Sequence, residues 1–247
     1  MDLSLWAKLD GTVVNVATVL AGSLLGLLLK NRLPERMQLA IVQGVGLVTL
    51  FIGFTMASAM QKAAAGAVSG VVLGLLSLVL GGLLGEYLGL EERLEAMGDL
   101  LKRSVGGAGG FTEGFVAASL LFCIGPMTLI GSINNGLLGD PNLLFVKATL
   151  DGLSALALSA SFGVGVTFSA LVVLLYQGGL SLLAASAASV LPDPAGDPRV
   201  LLVTGVGGLM IIGLGINLLK LSRIRVASFL PSIFIAPLFW LLAKVLS

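Results

Sequence analysis

Lys147 and Asp151 are the pair of residues in this sequence whose types and spacing most clearly suggest chemistry. They stand i, i+4, so on a helix they face one another. They are also the only charges in the apolar run from residue 144 to residue 190. A lone charge near the centre of a bilayer costs about 2.5–3.5 kcal/mol on insertion scales, so opposite charges in such a run are expected as a pair. The pair reads either as a structural ion bridge or as a titratable carboxylate on a solute path, its pairing broken by substrate or proton.

The polar stretch Cys123–Asp151 leads into that pair. Pro126 removes a backbone donor and, with Gly125, frees carbonyls in the middle of a helix. Irregular backbone at membrane depth is tolerated only where protein or a water-filled cavity covers it; a kink filled by a neighbouring helix meets that condition as well as a solute site does. Ser132, Asn134 and Asn135 follow. Amides carry donors and acceptors and suit a neutral polar solute or a partly dehydrated cation, while Asn135-Gly136 also reads as a helix C-cap. Asn15, Gln43, Gln177 and Asn217 are single amides in apolar helices, either interhelical glue worth about 1 kcal/mol or ligands on the same path.

The elements that must position these residues are membrane helices. Of 247 residues, 57% are hydrophobic and 11% charged, and the mean hydropathy is +1.06. A soluble domain carries about 25% charged residues. The chain is therefore an all-α, multi-pass membrane protein, a single polytopic domain whose first partner is the lipid bilayer. With no His, one Cys (Cys123) and a net charge of +1, it offers no recognisable metal site, disulfide framework or nucleic-acid footprint. No nucleotide-binding Gly-rich loop and no Ser–Lys or Asp–Asp constellation appears, so neither an enzyme nor a cofactor is expected.

A span needs about 20 apolar residues. About eight fit: 11–29, 38–60, 66–88, 112–135, 143–163, 167–190, 200–219 and 226–246. The first is read as a membrane helix rather than a cleavable signal. Residues 90–103 differ: Leu90, Leu94, Met97 and Leu101 share one face, Glu91, Glu92 and Glu95 come first and Lys102 and Arg103 last, in accord with the helix dipole. This is either an interfacial amphipathic helix or a solvated helical loop. The sequence LPDPAGDPR (191–199) is a turn region. Lys30, Arg32, Arg36, Arg93, Lys102, Arg103, Lys220, Arg223 and Arg225 fall on one side, against Lys8, Lys62, Lys147, Arg199 and Lys244, which puts both termini outside. The runs Gly22-Ser23…Gly26 and Gly81-Gly82…Gly85 mark tight packing, within the chain or in a homodimer.

Residues 1–136 align with 143–247 as a four-plus-four repeat. Leu9-Asp10-Gly11 meets Leu150-Asp151-Gly152, Gln43-Gly44 meets Gln177-Gly178, Val68–Val71 meets Val203–Val206, and Ile124–Met127 meets Ile235–Leu238, so Asp10 mirrors Asp151 without a matching Lys and Pro237 repeats the break at Pro126. A rival alignment lays helices 1–3 over 6–8, with Leu33-Pro34-Glu35 against Leu191-Pro192-Asp193, as inverted repeats with helices 4 and 5 between them.

The segments GTVVN (11–15), PERMQLAIVQGVGL (34–47), ASLLFCIGPM (118–127), IGSINNGLLGD (130–140), KATLDG (147–152), VGGLMIIGLGIN (206–217) and LPSIFIAP (230–237) are spread over nearly the whole length. On these the chain resembles the YdfK/YqgA-like bacterial integral membrane proteins, a domain of unknown function. The resemblance implies a bacterial inner-membrane protein and supplies no catalytic residues.

Three functions fit the residues. The first is a secondary transporter for a small polar solute or ion, with its path along helices 1, 4, 5 and 8. The others are a passive channel through the same segment and a packing or lipid-organising scaffold. A water-accessible cavity at Asp151 favours transport; a dry interior with Lys147 and Asp151 locked together favours the scaffold.

Overall fold

Backbone groups in lipid must be satisfied within their own segment, and a helix does this. The computed structural model describes residues 4–30, 32–107, 109–184 and 196–246, with Pro126 described by its backbone alone. The order is α1 (Leu5–Lys30), α2 (Glu35–Ala57), a 3₁₀ turn (Ser58–Lys62), α3 (Gly70–Tyr87), α4 (Leu90–Ser104), α5 (Phe111–Cys123), α6 (Pro126–Leu138), α7 (Asn142–Phe162), a 3₁₀ turn (Val164–Phe168), α8 (Ser169–Ala184), α9 (Pro198–Leu218), a 3₁₀ turn (Val226–Phe229) and α10 (Ser232–Leu246). Among the described residues seven segments are long and apolar enough to cross a membrane, or eight when α5 and α6 count as one.

The helix expected over 112–135 is broken. α5 and α6 are bent by 57°, with the interruption at Ile124-Gly125, where Pro126 cannot donate a hydrogen bond to continue α5. The pair nevertheless runs the length of α7. At the start of α5, Gly114 packs on Phe162 at the end of α7; in α6, Gly131 packs on Leu144 near the start of α7. A re-entrant loop would return to the end from which it came, so this is a kinked span.

Helix ends follow from local chemistry. Ser69 caps α3 and Asp197 caps α9, Asp197 accepting from the Arg199 N–H at 2.8 Å with Pro198 in the first turn. The Arg199 side chain holds the Asp197 carboxyl below the usual range. Gly163 ends α7 at φ +90°, a conformation that glycine adopts without a Cβ penalty, and it supplies the expected turn between helices 5 and 6. Of the turn region 191–199, residues 191–195 lie outside the described residues, and with them Leu191-Pro192-Asp193 of the rival alignment.

The chain divides into two compact units. The first comprises Met1–Val45, Glu95–Cys123 and Met127–Pro192, and its centre is the pairing of α1 with α7. Gly11, Thr12, Asn15, Val19, Gly22, Ser23 and Gly26 form the buried face of α1. A Cβ on Gly22 would lie 2.0 Å from the Gly152 carbonyl oxygen, and one on Gly26 would lie 2.3 Å from that of Leu156. Small residues let the two backbones touch, the usual basis of helix association in lipid. Thr18 Oγ1 donates to the Ala148 carbonyl at 2.8 Å. Later in this unit Thr112 donates to Asp99 at 2.5 Å, and Gly98 of α4 lies against Thr112 and Phe115.

The second unit comprises Gly46–Leu94, Ile124–Pro126 and Asp193–Ser247. Its core gathers Met60, Leu73, Leu202, Val206, Ala236 and Trp240, and the Trp240 indole N–H donates to the Ala64 carbonyl at 3.2 Å. α2 and α9, helices 2 and 7 of the inverted alignment, meet reciprocally: Gly53 faces the Gly208 carbonyl oxygen and Gly208 faces that of Gly53. The run Gly81-Gly82…Gly85 packs on Ser232, Phe229 and Ser228. Both Gly-rich runs proposed for packing are thus used inside their own units.

The amphipathic segment is helical as its pattern required. At its start, Glu91 accepts from the Ala227 N–H at 2.8 Å, while Arg225 bridges Glu92 and Glu86, the latter at 2.8 Å. A backbone N–H at the start of α4, and then Arg225, keep the Glu92 carboxyl below the usual range. Met97, expected on the apolar face, is 45% exposed.

Candidate functional site

The buried faces of α1, α7 and α8 bring the strongest sequence candidates together. Lys147 and Asp151 form the expected i, i+4 ion pair, with side chains only 6% and 11% exposed. The Asn15 amide nitrogen donates to Asp151 Oδ2 at 3.0 Å and to Gln177 Oε1 at 2.9 Å. Gln177 in turn donates to Thr12 Oγ1 at 3.2 Å. Thr12, Asn15 and Gln177 are fully buried. Bonded networks in a low-dielectric interior are strengthened by that surrounding, and any member left unpaired is costly.

A second polar link lies nearer the start of α1. Asn135 of α6 donates to Asp10 Oδ1 at 2.8 Å and to the Ala7 carbonyl at 2.9 Å. The C-cap reading of Asn135-Gly136 is therefore corrected: both residues are inside α6, which continues to Leu138 and ends with Gly139 at φ +66°. Gly139 takes the capping role because it, not Gly136, has the left-handed backbone. Gly136 instead lets α6 touch α8, since a Cβ there would lie 1.9 Å from the Ser181 carbonyl oxygen.

Among the described residues several buried polar atoms in this region have no hydrogen-bond partner: Asn15 Oδ1, Asn135 Oδ1, Ser132 Oγ and Ser181 Oγ. Buried polar atoms are hydrogen-bonded in the great majority of cases, so unpaired ones require an explanation. Asn134 is half-buried, and Gly125 stands at the break with open space where a Cβ would be.

The remaining candidates do not join this network. Gln43 is exposed on α2, unlike its repeat counterpart Gln177. Asn217 closes the turn after α9, donating to the Ile224 carbonyl and accepting from its N–H, both at 2.7 Å; that is a structural bracket. Pro237 lies inside α10 of the second unit, between the core residues Ala236 and Trp240. Of the helices expected to line a path, helices 1, 4 and 5 meet in the first unit, where helix 6 adds Gln177, and helix 8 is α10 of the second unit. Thr12 and Ser181 are not among the residues that the sequence alone marks. Thr12 had a signal, its place on the small and polar stripe Gly11, Thr12, Asn15, Gly22, Ser23 and Gly26, three residues before Asn15.

The family model described as "Protein of unknown function (DUF554)" matches residues 10–241. The chain is 28% identical over 227 residues to "Uncharacterized membrane protein YdfK" of Bacillus subtilis (strain 168), covering 92% of this chain and 93% of that one. It is 29% identical over 229 residues to "Uncharacterized protein YqgA" of Escherichia coli (strain K12), covering 92% and 94%. No solved structure matches it. The residues that suggested the resemblance fall within that match, and this multi-helix membrane protein belongs to the DUF554 family.

Proposed function

We propose that the protein is a secondary transporter of a small polar solute or ion in the bacterial inner membrane, with both termini outside and a path along α1, α6, α7 and α8. The observation that carries this reading is the buried Lys147–Asp151 pair bonded through Asn15 to Gln177. Charges inside membrane segments are costly, and where they persist they mark ion or substrate pathways more often than packing. The kink between α5 and α6 adds the kind of broken helix that transporters use near a site.

A packing scaffold is the second reading, and the closed, buried ion pair favours it. Against it stand Asn15 Oδ1 and Asn135 Oδ1, buried acceptors with no partner among the described residues. An apolar pair of the same volume would hold the helices at no desolvation cost, so a scaffold has little use for them.

The test is flux through reconstituted vesicles. Wild-type protein is expected to carry at least one of a panel of alkali cations, protons and small neutral polar solutes above empty vesicles. Asp151→Asn, with its fold verified by thermal unfolding, is expected to fall to the empty-vesicle level. Wild-type flux in that variant would remove Asp151 from the mechanism.

A further inference from the structure

The groups that touch Asp151 are nitrogen donors, the Lys147 ammonium and the Asn15 amide, while every acceptor of the cluster is an oxygen. Asp151 Oδ2 takes the Lys147 ammonium and the Asn15 amide N–H. Asn15 Oδ1 is buried, has no partner among the described residues, and sits one amide width from the nitrogen that touches Asp151. Among the described residues Gln177 Oε1 and Thr12 Oγ1 each accept from one donor, which leaves further acceptor capacity. Hard cations prefer ligands of this type, carboxylate, amide carbonyl and hydroxyl oxygens. Among the described residues no group of three or more His, Cys, Asp or Glu comes together. A single carboxylate in a buried site balances one positive charge, which selects a monovalent ion over a divalent one.

Lys147 already supplies that charge. Its ammonium has three donors, and among the described residues the structure gives it one partner, Asp151. It stands early in α7, which starts at Asn142, and the long stem of a lysine lets the charged head move outward while the methylenes stay in apolar surroundings. Two cations on one carboxylate repel strongly at low dielectric, so ammonium and a bound ion exclude each other.

We infer that the Asp151–Asn15–Gln177 cluster is a site for a Na⁺- or K⁺-sized cation, with Lys147 as its tethered competitor. This rests on the transport reading and deepens it by naming the coupling ion: cation entry frees Lys147, and cation exit lets it return, so the pair reports occupancy to α7.

The experiment uses full-length protein in detergent. Thermal unfolding is followed against NaCl, KCl and choline chloride at constant ionic strength and at alkaline pH, where proton competition for the carboxylate is least. Wild type is expected to respond weakly. In Lys147→Met the carboxylate needs a cation from solution, so Na⁺ or K⁺ but not choline should raise the unfolding temperature. The half-effect is expected at about tenfold lower salt than in wild type, within the usual span of site–site coupling. In Lys147→Met/Asp151→Asn, which carries neither charge, the cation response should vanish while the protein still folds. The inference is overturned if Lys147→Met responds alike to all three salts, or if it stays unfolded in Na⁺ and K⁺ while the double variant folds. A cation response that survives in the double variant overturns it too. Because no vesicle is involved, loss of this response with solute flux intact sinks the competitor role alone. Cation binding without flux would instead sink the transporter.

Discussion

Asp151→Ala is expected to destabilise the protein by about 3–5 kcal/mol, the range for breaking one side of a buried ion pair, and adding Lys147→Met is expected to restore most of that loss. The single change strands the Lys147 ammonium, whose side chain is 6% exposed, without its one partner among the described residues. It also removes the acceptor of the Asn15 N–H, so a buried donor joins the uncompensated charge. The double variant removes the charge, and methionine fills the space of the lysine stem. Denaturant titration in detergent measures both. Equal destabilisation of single and double variants would mean that the pair contributes nothing through its charges.

A methyl group at Gly22 is expected to have an effect of similar standing by a different route. The added Cβ would lie 2.0 Å from the Gly152 carbonyl oxygen, which is backbone and cannot swing aside. α1 must therefore move off α7. That displacement would stretch the Thr18–Ala148 bond and the Asn15–Asp151 bond as well. Overpacking costs about 1–3 kcal/mol, and a clash with backbone belongs at the upper end. Gly179 is the control, because a Cβ there meets nothing within 4 Å and alanine favours a helix by about 1 kcal/mol over glycine. Gly22→Ala should thus lower the unfolding temperature and Gly179→Ala should leave it or raise it. Similar behaviour of the two would refute the close α1–α7 packing.

These two sites also show where the sequence was readable. The Lys147–Asp151 pair and the α4 face are local patterns within a turn or two, and helical spacing alone places them. The break at Gly125-Pro126 is local for the same reason, since a missing N–H interrupts its own helix. Of the two readings of Asn135, the C-cap fails because it rests on Asn-Gly turn chemistry taken alone. The preference was overruled by its partners Asp10 and Ala7, 125 and 128 residues away. The bond from Asn15 to Gln177 joins residues 162 apart, and no periodicity within one helix announces its partner. Gln43 and Gln177 occupy similar Gln-Gly dipeptides, yet one is exposed and the other fully buried. Apolar flanks look alike whether they face lipid or protein, because lipid tails are as apolar as leucine.

A transporter must let water and solute reach the cluster around Asp151, and thiol accessibility tests this without knowledge of the substrate. Thr12 is fully buried and bonded to Gln177, and cysteine is close to it in size. Thr12→Cys in a Cys123→Ala background removes the one native thiol. A membrane-impermeant cationic thiosulfonate is then applied to either face of intact vesicles. The transporter account predicts slow labelling from both faces, accelerated by the transported ion or solute. Labelling that occurs only after denaturation, in protein that is otherwise folded and inserted, would contradict the account and leave the packing scaffold as the function of this chain.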